Sequence, residues 1–437
     1  MSWKTELLGN LMFESRIPAL SPNPNKRIRV KLNIAGVEKR PLENEIEGAT
    51  KQFIRKSGQF IYGKQNFHKG AFGIIPPELD GYETSADIPS FDIREDCLPE
   101  WIYYFFKINN RYIELEKIAR GMGSKRIHPE QLADIEIPLP SIDNQRLYIS
   151  KFKIIENSTD TVFNEQVHQH NLIKKLRQQI LQNAVQGKLV PQDPNDEPAS
   201  MLLERIKMEK EKLVREKKIK KEKTLPPIKP EEIPFEIPES WMWYRVGDIC
   251  IKVTDGTHHS PTNTETGAFK YVTAKNIKET GIELSNITYI SEDVHKQIYA
   301  RCNPEKGDIL YIKDGATTGI VTINNLSEEF SMLSSVALLK LPKIVSNKFL
   351  MYSMRSPYYY EATRNDMFGV AITRVTLEKI QNSILALPPL PEQIRIATKI
   401  EQLMTLCDEL EQSVQQSQKY TQELLQVALK EALEPKN

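Results

Sequence analysis

The chain has 437 residues, 40% of them apolar and 27% charged, with a formal net charge of +1. That length exceeds one ordinary core and predicts several domains, and the near-neutral balance excludes a protein that wraps nucleic acid by bulk charge alone. No apolar run approaches the about eighteen residues of a membrane span, MSWKTELLGN lacks the basic-then-apolar pattern of a signal peptide, and Cys97, Cys250, Cys302 and Cys407 show no CxxC spacing, so a reducing, cytoplasmic setting without disulfides or zinc is expected.

Residues 1–140 mix short strand-like runs (RIRVKLNI, GQFIYG, AFGIIP) with a helix predicted at CLPEWIYYFFKIN. IPLPSIDNQR then opens a long helix over 141–190. Its expected apolar seam, spaced alternately four and three, is Tyr148, Phe152, Ile155, Thr159, Val162, Gln166, Gln169, Ile173, Leu176 and Ile180. Residues 191–233 hold ERIKMEKEKLVREKKIKKEK (204–223), a predicted basic helix whose charges form either a solvated face or a contact with phosphate or a partner. TLPPIKPEEIPFEIPES (224–240) follows and reads as an extended proline-rich linker. Residues 234–389 return to the first vocabulary: strands at FKYVTAKNI, GDILYIK, TGIVTI and SVALLKL, and a helix at SNKFLMYSMRS. LALPPLPEQI then opens a second long helix over 390–437, with a seam at Ile396, Ile400, Leu403, Cys407, Leu410, Val414, Ser417, Thr421, Leu424 and Ala428.

The two halves repeat each other. Gln145 and Gln393 stand 248 residues apart, and at the same offset Leu132 meets Ile380, Ile127 meets Val375 and Arg126 meets Arg374. The repeated unit is a globular module, a proline turn that cannot continue a strand, and a helix of about 40 residues, roughly 60 Å long. The expected fold is α+β: two similar modules with mostly antiparallel sheets, separated by two long helices that pair as an antiparallel coiled coil. The seams turn polar at matching midpoints, which would face each other and set register.

Candidate site residues come from the polar loops. The first module offers Lys64, Gln65, Asn66, His68 and Lys69 in GKQNFHKG, and Ser124, Lys125 and Arg126 in RGMGSKR. The second offers Thr257, His258 and His259 in VTDGTHHSP, Lys275 and Asn276, Lys313, Asp314, Thr317 and Thr318 in IKDGATTG, and Arg364 and Asn365 in RNDMFG. These side chains suit base edges, with Arg or Lys paired to guanine and Asn or Gln to adenine; the bland alternative is that Gly, Asn and Asp simply make turns. His258 and His259 lack a third ligand for a metal. There is no P-loop, no GxSxG and no HExxH. A chain with two matching modules and none of these signatures favours binding over catalysis.

PFEIPESWMWYRVGDICIKVTDGTHHSP (234–261), KGDILYIKDG (306–315), LPPLPEQIRIATKIEQL (387–403) and, centrally, LPSIDNQRLYISKF (139–152) and LRQQILQNAVQGKLVPQDPNDEPASMLLERI (176–206) resemble the specificity subunit of type I restriction–modification systems. The resemblance spans the chain. It implies two target-recognition domains separated by two conserved helices, no catalysis and no cofactor in this chain. Each domain would read half of a bipartite, asymmetric site on double-stranded DNA, with the helices setting a spacer of roughly one turn, about 10 bp between centres. Partners would be two methyltransferase subunits bringing S-adenosylmethionine and two restriction/translocase subunits using ATP and Mg2+, with no membrane contact. The alternative from another class is a coiled-coil scaffold for proteins. Asp143–Asn144 stand where the second module has Pro391–Glu392, so helix entry is expected to differ at the two ends.

Overall fold

A computed structural model describes residues 3–41, 50–121, 125–221, 223–364 and 374–433. The chain forms two compact units, residues 1–168 with 414–437, and residues 169–413.

The first unit is built on a four-stranded antiparallel sheet ordered Met12–Ser15, Ser90–Ile93, Phe60–Tyr62, Phe72–Ile74. Side chains alternate faces along a strand. Phe60 and Tyr62 therefore enter an aromatic core with Phe67, Phe72, Phe91, Trp101 and Phe106, whereas Ile61 enters a smaller cluster with Ile28, Ile75 and Leu79. The helix Pro99–Lys107 seals the aromatic side through Trp101, Ile102, Tyr104, Phe105 and Phe106. Thr5–Leu7 pairs with Glu136–Pro138 beside it.

The second unit repeats this plan. Its sheet runs Lys252–Asp255, Val336–Lys340, Ile309–Ile312, Val321–Ile323, all antiparallel. Ile309 and Tyr311 face one core and Leu310 and Ile312 the other, as expected of a strand covered on both sides. Met242–Arg245 pairs with Ile384–Leu387, and the helix Asn347–Arg355 lies 248 positions after Pro99–Lys107. The units diverge in their smaller sheets. Ile17–Pro18, Gln52–Ile54 and Glu83–Ser85 are wholly antiparallel, whereas Phe269–Val272 pairs parallel with Phe330–Met332.

The repeated glutamines explain the proline turns. Gln145 and Gln393 are fully buried. Gln145 accepts from the Leu98 N–H at 2.8 Å and donates to the carbonyls of Asp96 at 2.8 Å and Pro140 at 2.9 Å. Gln393 accepts from the Ser346 N–H at 2.9 Å and donates to the Pro388 carbonyl at 3.0 Å. Leu98 and Ser346 precede the two equivalent helices, so each glutamine ties the root of a long helix to the start of its module's packed helix and satisfies an otherwise orphaned N–H.

The long helices run Ile142–Val185 and Leu390–Leu433, 44 residues each. They pair antiparallel. In the first unit the buried Gln166 amide donates to Ser417 Oγ at 3.0 Å and Thr421 Oγ1 at 3.3 Å. In the second, Arg177 donates to Asp408 at 2.7 Å and Glu411 at 3.0 Å. The expected polar midpoint is thus present, but the expected seam is displaced by one residue at four positions. Phe152, Thr159, Gln166, Ile173 and Ile180 lie on it, yet the alternate places go to Phe163 and Arg177, and in the second helix to Glu411 and Leu425. Val162, Leu176, Leu410 and Leu424 are 42%, 45%, 51% and 69% exposed instead. Reading apolarity alone misplaces a seam whose members include paired charges.

The basic helix is Ala199–Arg215, shorter than the predicted stretch to 223. Lys217 takes a left-handed φ of 58°, and the Lys218 N–H donates to the Leu213 carbonyl, which closes the helix in a Schellman-type stop. The proline-rich segment after it is extended but not loose. Buried Arg245 donates to the carbonyls of Pro226 at 2.7 Å, Pro227 at 3.2 Å and Asn382 at 2.6 Å, and pairs with Glu232 at 2.9 Å. Phe235 packs edge-on against Trp243 and Tyr358. Among the described residues no helix is long and apolar enough to cross a membrane.

Candidate functional site

In each unit the polar loops that leave or enter the strands of the four-stranded sheet at one of its ends gather there. In the first unit the 63–70 loop follows Phe60–Tyr62 and stands beside residue 89, which precedes Ser90: the Tyr62 N–H donates to the Pro89 carbonyl at 3.2 Å. Gly70 has φ 81°, and a Cβ there would lie 2.8 Å from the Ile34 nitrogen, so only glycine lets the 33–34 backbone pack so close. The Ile127 N–H donates to the Lys64 carbonyl at 2.8 Å, which lays residues 125–127 beside the loop. Gln65, Lys69, Lys125 and Arg126 are exposed; Lys64, Asn66 and His68 are half-buried. Lys125 pairs with Glu116 at 2.9 Å and Arg126 with Asp87 at 3.7 Å. Burial, then the cations Lys69 and Lys125, hold His68 below the ordinary imidazole range, against Glu116. Ser124 lies outside the described residues.

In the second unit the equivalent loop follows Ile309–Ile312, and the Val375 N–H donates to the Lys313 carbonyl at 2.7 Å. This is the counterpart of the Ile127–Lys64 bond. Gly256 lets the chain pass the neighbouring strand: a Cβ there would fall 1.8 Å from the Met332 carbonyl oxygen. Lys313 is buried between Asp255 at 3.5 Å and Asp314 at 2.9 Å. Arg301 also pairs with buried Asp255, and His258 Nε2 stands 3.2 Å from Arg301 and 3.6 Å from Asp255. Arg374 reaches Asp314 at 3.2 Å. Buried Thr318 donates to the Gly315 carbonyl at 2.6 Å, and Arg364 donates to the Thr318 carbonyl at 2.7 Å while lying over the Tyr360 ring.

The structure therefore sorts the candidates. His258, His259, Thr317 and Lys275 are exposed, and Thr257, Asp314 and Arg364 are half-buried at the loop end. Lys313 and Thr318 are buried and hold the loop. Asn276 is also buried: its side chain accepts from the Thr273 N–H at 3.0 Å and donates to the Glu283 carbonyl at 3.3 Å, a turn support. Lys275 lines a polar cleft of about 650 Å3 with Asn263, Lys278 and Asn286. Asn365 lies outside the described residues. Arg301 and Arg374 were not among the sequence candidates. The repeat could have found Arg374, since it is the 248-offset partner of Arg126; nothing in the sequence marks Arg301. Such a surface, with exposed Lys, Arg, Gln, Thr and His on loops that a buried Lys313–Asp255 pair braces in the second unit, can offer directional hydrogen bonds and positive charge to a polyanionic ligand. Among the described residues no group of three His, Cys, Asp or Glu side chains is placed to hold a metal.

Residues 238–419 match the family model described as Type I restriction modification DNA specificity domain. The chain is similar to the type I restriction enzyme EcoAI specificity subunit of Escherichia coli, 34% identical over 281 residues, covering 59% of this chain and 44% of that protein. It is also similar to the EcoEI specificity subunit of Escherichia coli, 30% identical over 312 residues, covering 68% and 51%. It thus spans about half the length of these curated relatives. Among solved structures, a chain described under complex assembly and conformational transition of the type I R-M system superposes with a TM-score of 0.68 at 17% identity, covering 99% of this chain and 97% of that one. The HsdS subunit from Thermoanaerobacter tengcongensis superposes with a TM-score of 0.54 at 16% identity, covering 99% and 96%. At these identities the likeness is one of fold.

Proposed function

The chain belongs to the specificity subunits of type I restriction–modification systems, and from that premise we propose that it is the non-catalytic DNA reader of such a complex. Each module, 1–140 and 234–389, reads one half of a bipartite, asymmetric site. The observation that carries this is the repetition of one scaffold, with its polar loops at the same end of the same four-stranded sheet, while the smaller sheets and the loop residues differ. A shared scaffold with unlike loops suits two readers of unlike half-sites, since base contacts specify and the scaffold only positions them. Gln65, Lys69, Lys125 and Arg126 are the reading groups of the first module, and Thr257, His258, His259, Lys275, Thr317 and Arg364 those of the second. Lys313, Thr318 and Asn276 support them.

The helix segments 141–190 and 390–437 act as the spacer. Their exposed apolar residues support docking of partners: Ile154, Val162 and Val167 in the first unit, and Leu172, Leu406 and Leu410 in the second. Two methyltransferase subunits dock there and bring the S-adenosylmethionine, and two restriction/translocase subunits join the complex with the ATP and Mg2+ chemistry. The near-neutral charge follows if those partners clamp much of the phosphate backbone.

Mapping methylated adenines in cells carrying the complex tests the division of labour. Replacing Gln65 and Arg126 by alanine is expected to relax one half-site by about 1–3 kcal/mol per lost base contact and leave the other unchanged. Equal relaxation of both half-sites would overturn the assignment of one half-site to each module.

A further inference from the structure

Charge is unevenly placed along this chain. Residues 204–223 carry ten Lys and Arg against five Glu, a local excess of +5 in a chain whose total is +1. In the second unit the described residues of this segment border a cleft of about 720 Å3, formed by the Ala199–Arg215 helix, residues 219–221 and 223–225, and the Val246–Ile249 turn. Lys207, Lys210, Arg215, Lys220, Lys221 and Lys223 line it, against Glu211 and Asp248. Its apolar lining is Leu203, Val214, Ile219, Leu225 and Ile251. Lys210 is committed to the scaffold, donating to the carbonyls of Gly247 at 2.8 Å and Asp248 at 3.2 Å. Among the described residues, no carboxylate stands within ion-pair distance of Lys207, Lys220, Lys221 or Lys223, whereas Lys218 and Lys229 nearby are paired.

Two observations decide what such a cleft takes. Ile251 enters the strand Lys252–Asp255 at the end opposite the reading loops, and Thr257 leaves it at the other. Six residues at about 3.3 Å each put roughly 20 Å between cleft and loops, so the duplex read by those loops is not the cleft's occupant. A sugar–phosphate backbone, moreover, offers little to cover five aliphatic side chains. An acidic peptide with interspersed apolar residues satisfies both the rim and the lining.

We propose that the cleft is a docking site for an acidic, apolar-anchored segment of a protein partner. This goes beyond the reading of DNA by the loops and does not depend on it. Arg245 pins the Pro226 and Pro227 carbonyls, and so fixes the backbone that carries Leu225.

The test uses the full chain and a short fluorescein-labelled peptide of Glu, Asp and Leu, with Leu at helical i, i+3 and i+4 spacing, followed by fluorescence anisotropy. Binding is expected, weakened about tenfold or more by K207E/K221E and by Leu→Ser changes in the peptide, which leave the protein untouched. Gln65 and Arg126 variants are expected to bind the peptide normally, which separates this proposal from the DNA reading. Peptide binding indifferent to both the charge reversal and the Leu→Ser change would overturn it. So would displacement of the peptide by a short random-sequence duplex whose binding K207E/K221E abolishes, since that would give the cleft to nucleic acid.

Discussion

Replacing Gln145 with leucine removes three hydrogen bonds while keeping a side chain of similar volume. The Leu98 N–H, held at 2.8 Å, loses its acceptor, and the carbonyls of Asp96 and Pro140 lose a donor. An orphaned buried donor costs about 1–3 kcal/mol, and a carbonyl with a second lone pair costs less. The sum is about 2–5 kcal/mol, confined to the first unit. Gln393→Leu orphans the Ser346 N–H and the Pro388 carbonyl, so it should cost somewhat less, about 2–4 kcal/mol, in the second. Chemical denaturation gives the magnitude, and amide hydrogen exchange gives the location. Gln145→Leu should speed exchange at Leu98 and leave Ser346 as in the parent, and Gln393→Leu the reverse. A loss below about 0.5 kcal/mol, the range of an ordinary surface change, with exchange unaltered at Leu98, would refute the reasoning.

The long-helix pair and the 63–70 loop carry two further expectations. Gln166→Leu replaces a buried amide that donates to Ser417 and Thr421; it should raise stability by about 1 kcal/mol and loosen register, seen as disulfide cross-linking between cysteine pairs placed one heptad out of step. A single register retained by the variant would contradict this. His68 sits below the ordinary imidazole range because it is buried near Lys69 and Lys125. The unfolded chain therefore takes up that proton first, so the first unit should lose stability as pH falls through about 6.5 toward the lowered folded value, then level off. The difference in unfolding free energy between the parent and His68→Gln should shrink over that window, and a difference independent of pH would count against it.

Much of this architecture was legible in the sequence because a duplication checks itself. The 248-residue offset that aligned Gln145 with Gln393 also aligns the helices Pro99–Lys107 and Asn347–Arg355. What the glutamines do was not legible, since their partners are backbone atoms about 50 residues away along the chain. The seam was misplaced near Leu176 and Leu410 because they look like core, while Arg177 and Glu411 enter the seam by pairing across it. The departure at Asp143–Asn144 leaves the backbone entry alike, since the Gln145 and Gln393 N–H groups donate to the equivalent Ser141 and Pro389 carbonyls, but it changes the anchoring: buried Glu392 accepts from Trp241 Nε1 at 2.9 Å and from Gln192 at 2.6 Å, whereas Asn144 is exposed. At the candidate site, loop composition picked out residues that the structure gathers at one end of each sheet but could not separate exposed groups from buried ones. Lys313 looks like a phosphate or base contact until its burial between Asp255 and Asp314 is seen.

The most direct test of the central claim is to delete one heptad from each long helix, at matched positions, and sequence the methylated sites. Seven residues at 1.5 Å shorten the pair by roughly 10 Å, about three base pairs at 3.4 Å. The two half-sites should persist unchanged with a spacer shorter by about that amount. Methylation at the parental spacing would contradict the account.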